Sequence, residues 1–256
     1  MRISTTRAKI VKNIFVAVFW VAVWEAAALA VHKEVLVADP VTVLKRLGEL
    51  ACTGEFWISA TASVGRILLG FMIAVVLGSI VACVTTKLEL VKALFTPLAA
   101  VIKATPVASF IILALVWIDT GNIPTFTAFL MAFPVIWGNV HQGIQQVDTG
   151  LKEVAKVYRM PRVKCLTMLY IPSVMPFFSA ACTTGLGLAW KAGIAAEVLC
   201  TPKNSIGKEL YSAKIYLETP DVFAWTLVVI VLSFVIEKLL VYLIRKAVKA
   251  DGYRAL

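Results

Sequence analysis

Residues 149–161 read TGLKEVAKVYRMP, and with 162–172 (RVKCLTMLYIP) they form the one sizeable polar segment between two long apolar runs in the second half of the chain. Four residues recur at the i, i+3, i+4 and i+7 spacing that places them on one face of a helix: Leu151, Val154, Ala155 and Tyr158. The opposite face is polar and holds Lys152, Glu153, Lys156 and Arg159. Pro161 is expected to end this helix, because proline cannot donate to the helical ladder. A helix with one apolar face must bury it, and a partner protein is the natural candidate.

A second, shorter helix is predicted after Pro161. Val163, Leu166 and Leu169 are spaced for its inward face, and it runs into Ile171 and Pro172.

The rest of the chain has the composition of a membrane protein that crosses the bilayer several times. Of its 256 residues, 60% are hydrophobic and 16% are charged, and the mean hydropathy is +0.88. Six transmembrane helices in a single domain (1–256) are expected, over about 13–31, 60–85, 94–117, 123–141, 173–199 and 221–244. The third of these contains Pro97 and Pro106.

Two short signals mark helix starts outside the apolar runs. Asp39 and Pro40 have the types preferred at the N-cap and first position of a helix. Thr219, Pro220 and Asp221 read the same way and are expected to begin the sixth span.

The basic residues flank the apolar runs and indicate topology. The net charge is +10, with 25 lysine and arginine residues, most of which fall on one side if the six spans alternate. Both termini and the segment 149–172 are then cytoplasmic. No basic stripe with interleaved aromatic residues occurs outside the spans, so nucleic-acid binding is not expected.

The sequence offers no catalytic or metal-binding constellation. His32 and His141 lie near opposite membrane faces, so no metal site is expected and each is predicted as an interfacial residue. A disulfide between Cys52 and Cys200 stays open. No phosphate-binding loop of the G-x-x-x-x-G-K-[ST] type occurs, so any ATP that drives transport must bind another chain.

Charged residues inside the predicted spans are the candidates for a translocation path: Lys103, Lys191, Glu197 and Arg66. An ionisable group in the bilayer is costly, about 3 kcal/mol or more, and so normally faces protein or water. One interpretation is a path lined by cations that admits an anionic or zwitterionic solute. The other is structural pairing within the bundle or snorkelling to the interface, which is favoured for Arg66.

The fifth span carries small residues at every fourth position: Ala181, Gly185, Ala189 and Gly193. Small residues at that spacing allow close helix–helix approach in lipid. Packing within one bundle and a seam between two copies are both compatible with the pattern.

Several fragments together resemble the membrane permease subunits of bacterial ABC importers, in the branch for nitrate, sulfonates, taurine and bicarbonate. Glu153-Val154-Ala155 and Tyr170-Ile171-Pro172 are similar to the two ends of that family's cytoplasmic loop, although Arg159 stands where glycine is usual. Weaker fragments of the same kind are Trp24-Glu25, Ala62 to Arg66, Lys103 to Pro106, and Ala196-Glu197 with Ile206-Gly207.

The resemblance implies a fold and partners. It implies an all-α bundle of the type I ABC importer permease kind, in the bacterial cytoplasmic membrane. A second permease copy, two ATPase subunits that bind ATP and Mg, and an extracytoplasmic substrate-binding protein would complete the transporter. The cytoplasmic helix would be a coupling helix that docks on the ATPase through Leu151, Glu153, Val154, Ala155, Tyr158 and Arg159.

Two other classes of function are weighed against this one. An ion-gradient-driven secondary transporter could use Glu25, Glu197 and the lysines as a proton relay. A membrane-embedded enzyme is disfavoured, because no clustered histidines, cysteines or carboxylates are apparent.

Overall fold

The computed structural model describes residues 3–31 and 36–250, without the side chains of residues 3–10, 13 and 247–250. The described residues form helices and no strand, which confirms the predicted all-α fold. The helices are α1 (Ile3–Val31), α2 (Pro40–Ala51), α3 (Gly54–Lys87), α4 (Glu89–Ala104), α5 (Val107–Ala114), α6 (Ile123–Gln145), α7 (Thr149–Val157), α8 (Arg162–Cys165), a π-helical turn (Leu166–Tyr170), α9 (Ile171–Cys200), α10 (Ile206–Ile215) and α11 (Thr219–Ala250). His32, which is predicted as an interfacial residue, lies outside the described residues. So do residues 1–2 and 251–256, at the two termini that are predicted to be cytoplasmic.

Five described helical segments are long and apolar enough to cross a membrane: Ile14–Val31, Gly54–Lys87, Ile123–Gln145, Arg162–Cys200 and Thr219–Lys246. A sixth crossing results if α4 and α5 together form one broken span. The predicted helix starts are also observed, because Asp39 caps α2, Pro40 opens it, and α11 begins at Thr219.

The third predicted span is not one straight helix. Helices α4 and α5 meet at a bend of 102° between Ala104 and Val107. Proline disfavours the helical conformation in the residue before it, and Thr105 is extended (φ −82°, ψ 133°) in front of Pro106. Pro97, in contrast, lies within α4 without ending it.

The chain divides into two compact units, the first made of residues 1–58 and 209–230. Its core contains Ala38, Val43 and Ala224, and the Trp24 ring stacks on Phe223 with centroids 5.6 Å apart. Asp39 accepts from the Thr42 amide at 2.9 Å and so satisfies one free N–H at the start of α2.

A two-pronged ion pair joins α2 to α11 within this first unit. Arg46 donates from Nε and Nη2 to the two carboxylate oxygens of Asp221, at 2.5 and 3.0 Å. The hydrogen bonds to Asp221 and then to Glu49 raise the pKa of Arg46 above its ordinary value.

The second unit comprises residues 59–208 and 231–256, and α6 packs closely against α9 within it. Glycines allow α3 to approach α6. A methyl group added at Gly70 would lie 2.1 Å from the carbonyl oxygen of Thr125, and one at Gly78 would lie 3.0 Å from Ile136. In lipid, this close packing replaces the hydrophobic driving force between helices.

The helix that contains the fifth predicted span is continuous with α8. The Ile171 amide donates to the Leu166 carbonyl, which is the i to i+5 bond of a π-helix. A π-helical turn holds one residue more than an α-helical turn. It keeps the chain helical up to Pro172, whose missing N–H would otherwise interrupt the ladder. Ser173 Oγ satisfies the Leu169 carbonyl at 2.7 Å.

Candidate functional site

The cytoplasmic helix predicted from residues 149–161 is α7, and it begins with a side-chain cap that the spacing of its apolar residues does not indicate. Asp148 Oδ1 accepts from the Leu151 amide at 3.0 Å. An aspartate directly before a Thr-Gly pair and the periodic residues is a helix-start signal.

Helix α7 ends at Val157, four residues before Pro161, and the reason is the backbone of Arg159. Arg159 has φ +48° in the left-handed region. Its amide donates to Lys156 O at 3.1 Å, and the Met160 amide donates to Ala155 O at 2.9 Å. These two bonds are those of a Schellman motif, in which the left-handed residue is usually glycine. The glycine expected at this position therefore has a structural reason, and Arg159 adopts the same conformation.

The predicted apolar face of α7 divides into a buried anchor and an exposed surface. Ala155 is buried and packs with Val147 and Leu169. Leu151 is 52% exposed and Val154 50% exposed. The side chains of Val157 and Tyr158 at the end of the helix are both 78% exposed. We call Leu151, Val154, Val157 and Tyr158 the α7 surface; Glu153 is also exposed.

Of the three residues after Pro161 that are predicted to face inward, only Leu169 does so. Val163 is 73% exposed and Leu166 is 54% exposed, whereas Leu169 is buried. The π-helical turn over Leu166–Tyr170 has a different pitch from an α-helix, so Leu169 does not lie on the same face as Val163 and Leu166.

A second cluster forms around Glu197, which is fully buried. Its carboxylate accepts hydrogen bonds from Ser63 Oγ at 2.7 Å, Arg66 Nη1 at 3.0 Å and the Gly207 amide at 3.2 Å. The Ile206 amide also donates to Ser63 Oγ, at 2.9 Å. This arrangement, the Glu197 clamp, ties α3, α9 and the start of α10 together.

Arg66 extends the clamp to the segment between α9 and α10. Its Nη2 donates to the carbonyl oxygens of Lys203 and Asn204, at 2.7 and 3.0 Å. Asn204 has φ +51°, a conformation that asparagine tolerates better than most residues. Arg66 therefore has the pairing within the bundle that was favoured for it over a place in a path.

Gly207 is required by the geometry of the clamp. A methyl group there would lie 2.3 Å from Glu197 Cβ and 2.4 Å from the backbone of both Glu197 and Val198. Neighbouring backbone atoms cannot move aside, so only glycine allows α10 to approach α9 this closely.

The other charged candidates are not drawn into this cluster. Lys103 is exposed near the end of α4, just before the bend at Pro106, and Lys191 is exposed on α9. Neither forms an ion pair within the part of the chain that the structure describes. Glu25 is half-buried in α1 of the first unit.

The small residues of α9 pack inside the chain. Ala181, Gly185, Ala189 and Gly193 are all buried. A methyl group at Gly193 would lie 2.5 Å from the Ile67 side chain, and one at Gly185 would lie 3.4 Å from Ile136. The stripe therefore faces α3 and α6 of its own bundle.

His141 is buried, although its position near the end of the fourth predicted span suggests an interfacial side chain. Its Nδ1 lies 3.1 Å from Thr85 Oγ1 and 3.2 Å from Thr86 Oγ1. Trp137 Nε1 donates to Thr85 Oγ1 at 3.0 Å. Helix α3 covers this part of α6, which sequence periodicity cannot indicate. Cys52 and Cys200 are free thiols.

The described residues thus combine an exposed amphipathic helix, a helix pair broken before Pro106 and several long apolar helices. The profile of the family described as "binding-protein-dependent transport system inner membrane component" matches residues 74–249. The chain belongs to this family. It is an inner-membrane transport component, as the resemblance implied.

Relatives and a solved structure agree with this assignment. The chain is 27% identical over 207 residues to a probable ABC transporter permease protein of Brucella melitensis, covering 80% of this chain and 84% of that one. It is 22% identical over 240 residues to a putative aliphatic sulfonates transport permease protein of Bacillus subtilis, covering 93% and 87%. The crystal structure of an amino acid ABC transporter with histidines has a similar fold, with a TM-score of 0.58 and 17% identity over 72% of this chain and 90% of that one.

Proposed function

We propose that this permease pairs with a second copy of itself to form the membrane path of an ATP-driven importer for a small anionic or zwitterionic solute. The membership of the binding-protein-dependent family supports an importer and gives no support to a secondary transporter. The similarity to a permease named for aliphatic sulfonates supports a sulfonate-like or related solute, such as nitrate or taurine. A substrate-binding protein outside the membrane delivers the solute.

The observation that carries the proposal is the α7 surface. Leu151, Val154 and Tyr158 are half exposed or more on a segment that is predicted to be cytoplasmic. Ala155 meanwhile holds the helix against its own chain. Exposed apolar side chains on an anchored helix are suited to helix-in-groove recognition. We infer that α7 docks on a separate ATPase subunit, which binds ATP and Mg, and that both termini share its side of the membrane.

The Schellman motif helps such docking. A helix that moves with the ATPase transmits force only if its end is fixed, and the two bonds at Arg159 and Met160 fix it. The exposed Glu153 and the lysines of α7 then orient the contact, because rim charges contribute more to orientation than to affinity.

We infer that the path passes the bend between α4 and α5. Lys103 is exposed beside this bend, and irregular backbone at membrane depth occurs where it is buried in protein or lines a water-filled cavity. A cation there, with Lys191 as a second candidate, suits an anionic or zwitterionic solute. The clamp leaves Glu197 engaged by three donors, so we propose that Glu197 and Arg66 shape the path rather than contact the solute.

The test of docking uses two tyrosines of similar exposure. Tyr158→Asp should abolish co-purification with the ATPase and uncouple ATP hydrolysis from uptake in vesicles, because a carboxylate replaces an apolar contact. Tyr216→Asp is the matched control, since Tyr216 is 74% exposed and lies between the fifth and sixth predicted spans, on the side opposite residues 149–172 if the spans alternate. If a double variant with Tyr158→Asp and Leu151→Asp still retained the ATPase, the assignment of α7 as the docking helix would be overturned. Ala155→Asp is unsuitable, because Ala155 is buried within the chain.

A further inference from the structure

A groove of about 780 Å³ lies between the C-terminal parts of α3 and α6 and the segment from α8 to the start of α9. All of its lining residues belong to the second unit. Its walls are mainly apolar and include Val140, Ile144, Val174 and Phe178. Its volume is within the range of sites that hold a small organic ligand.

Two cations stand at this groove and no acidic residue lines it. Lys87 is the last residue of α3, and Arg162 is the first residue of α8. Both are exposed, and neither takes part in an ion pair among the described side chains. The groove therefore joins a positively charged end to an apolar interior.

We propose that this groove binds an anionic phospholipid, with its phosphate between Lys87 and Arg162 and an acyl chain along Val174 and Phe178. Basic pockets between transmembrane helices on the cytoplasmic side bind acidic lipid head groups. Lys87 ends a membrane-spanning helix, which is the depth at which lipid phosphates lie.

The same features disfavour the two other occupants. If a second copy met this face with the twofold axis passing through the groove, its Lys87 and Arg162 would lie close to the same cations, and like charges repel. A small polar solute would leave most of the apolar wall uncovered. A lipid satisfies both ends of the groove.

Lipid binding in this groove requires only that the chain lies in a bilayer. Its test is therefore independent of the assignment of the docking partner. Arg162 lies five residues after the end of α7. A phosphate bound to Arg162 would therefore fix the segment that leads to the α7 surface. Transport that depends on anionic lipid is a consequence of this geometry.

The test measures lipid retained by the full chain in nanodiscs of equal amounts of phosphatidylglycerol and phosphatidylcholine, by native mass spectrometry. The wild type should retain phosphatidylglycerol preferentially, and Lys87→Gln with Arg162→Gln should lower that preference by more than about tenfold. Lys152→Gln with Lys164→Gln removes the same charge from residues off the groove and should keep the preference. Equal losses in both double variants, or none in the first, would overturn the proposal.

A second measurement needs no variant that could misfold. Cys83 lines the groove and is exposed. Its labelling by maleimide, mapped by peptide, should be slower in phosphatidylglycerol discs than in phosphatidylcholine discs. Equal rates in the two lipids contradict the proposal. Full protection in both lipids and in detergent would show instead that a second copy covers the groove.

Discussion

The Arg66 guanidinium lies 3.0 Å from the Glu197 carboxylate, although the two residues are 131 positions apart in the chain. Glu197 is completely buried, whereas the Arg66 side chain is 21% exposed. The pair joins α3 to α9, and through Ser63 and Gly207 it also holds the start of α10. Glu197, which is predicted as a path candidate, thus also connects three helices of its own bundle.

The first prediction concerns the unequal burial of the two charges in this pair. Arg66→Met leaves a buried carboxylate without its cation and should lower the free energy of unfolding by about 3 kcal/mol. Glu197→Gln removes the charge and keeps an acceptor for Ser63 and Gly207, so its effect should be smaller. The double variant should be more stable than Arg66→Met alone. Thermal unfolding in detergent measures all three, and equal losses in the two single variants would contradict the clamp.

The second prediction concerns close approach at Gly207. Gly207→Ala should destabilise the protein by about 2 kcal/mol or more, because the added methyl would overlap the backbone of α9. Gly65→Ala is the control, since nothing lies within 4 Å of its added methyl. In a helix that control should be neutral or stabilising, by at most about 1 kcal/mol. Unfolding midpoints that fall equally in both variants would show that the overlap is relieved.

The third prediction concerns Arg159. Arg159→Gly should stabilise the end of α7 by about 1 kcal/mol, because glycine adopts positive φ without the steric cost of a Cβ. Arg159→Val should have the opposite effect. Hydrogen exchange of the backbone amides of residues 159 and 160 measures the motif in the wild type and in both variants. Slower exchange in the valine variant than in the glycine variant would contradict this interpretation.

The fourth prediction concerns the bend. Lys103→Met should lower the uptake of an anionic solute about tenfold at saturating binding protein, because one charge-assisted contact is lost. Lys203→Met is the control, since Lys203 contributes its backbone carbonyl to Arg66 and that bond is unaffected. Uptake and ATPase rate are measured in reconstituted vesicles. Wild-type uptake by both Lys103→Met and Lys191→Met would remove the cationic path from the proposal.

The fifth prediction concerns pH and the cap of α2. Hydrogen bonds to Thr42 hold the pKa of Asp39 below its ordinary value of 3.8. The cap therefore stabilises the folded state at pH values above the unfolded pKa, and this contribution is lost as the pH falls through the lower folded pKa. The difference in thermal midpoint between wild type and Asp39→Asn should shrink over that acidic range. A difference that stays constant over this range would contradict the prediction.

Local signals predicted much of the helical architecture. Apolar runs long enough to span a bilayer located the membrane helices, and residue types such as Asp39, Pro40 and Thr219 located helix starts. These features depend on neighbours within a few residues, so they can be read from the chain. Periodicity also located α7, but not the division of its apolar face between Ala155 and the exposed Val154. Both residues are apolar, and only the position of Val147 and Leu169 decides which one is buried.

By itself, the sequence determined that this is a helical membrane component with an amphipathic segment between its fourth and fifth spans. Hydrophobicity and helix capping are local properties, and they act whatever the rest of the chain does. Tertiary structure alone decided that Arg66 meets Glu197 and that Ala155, rather than Val154, is buried on α7. Pairing across 131 positions, and the side of a helix that neighbouring segments cover, depend on atoms far apart in the chain, and no local pattern specifies them.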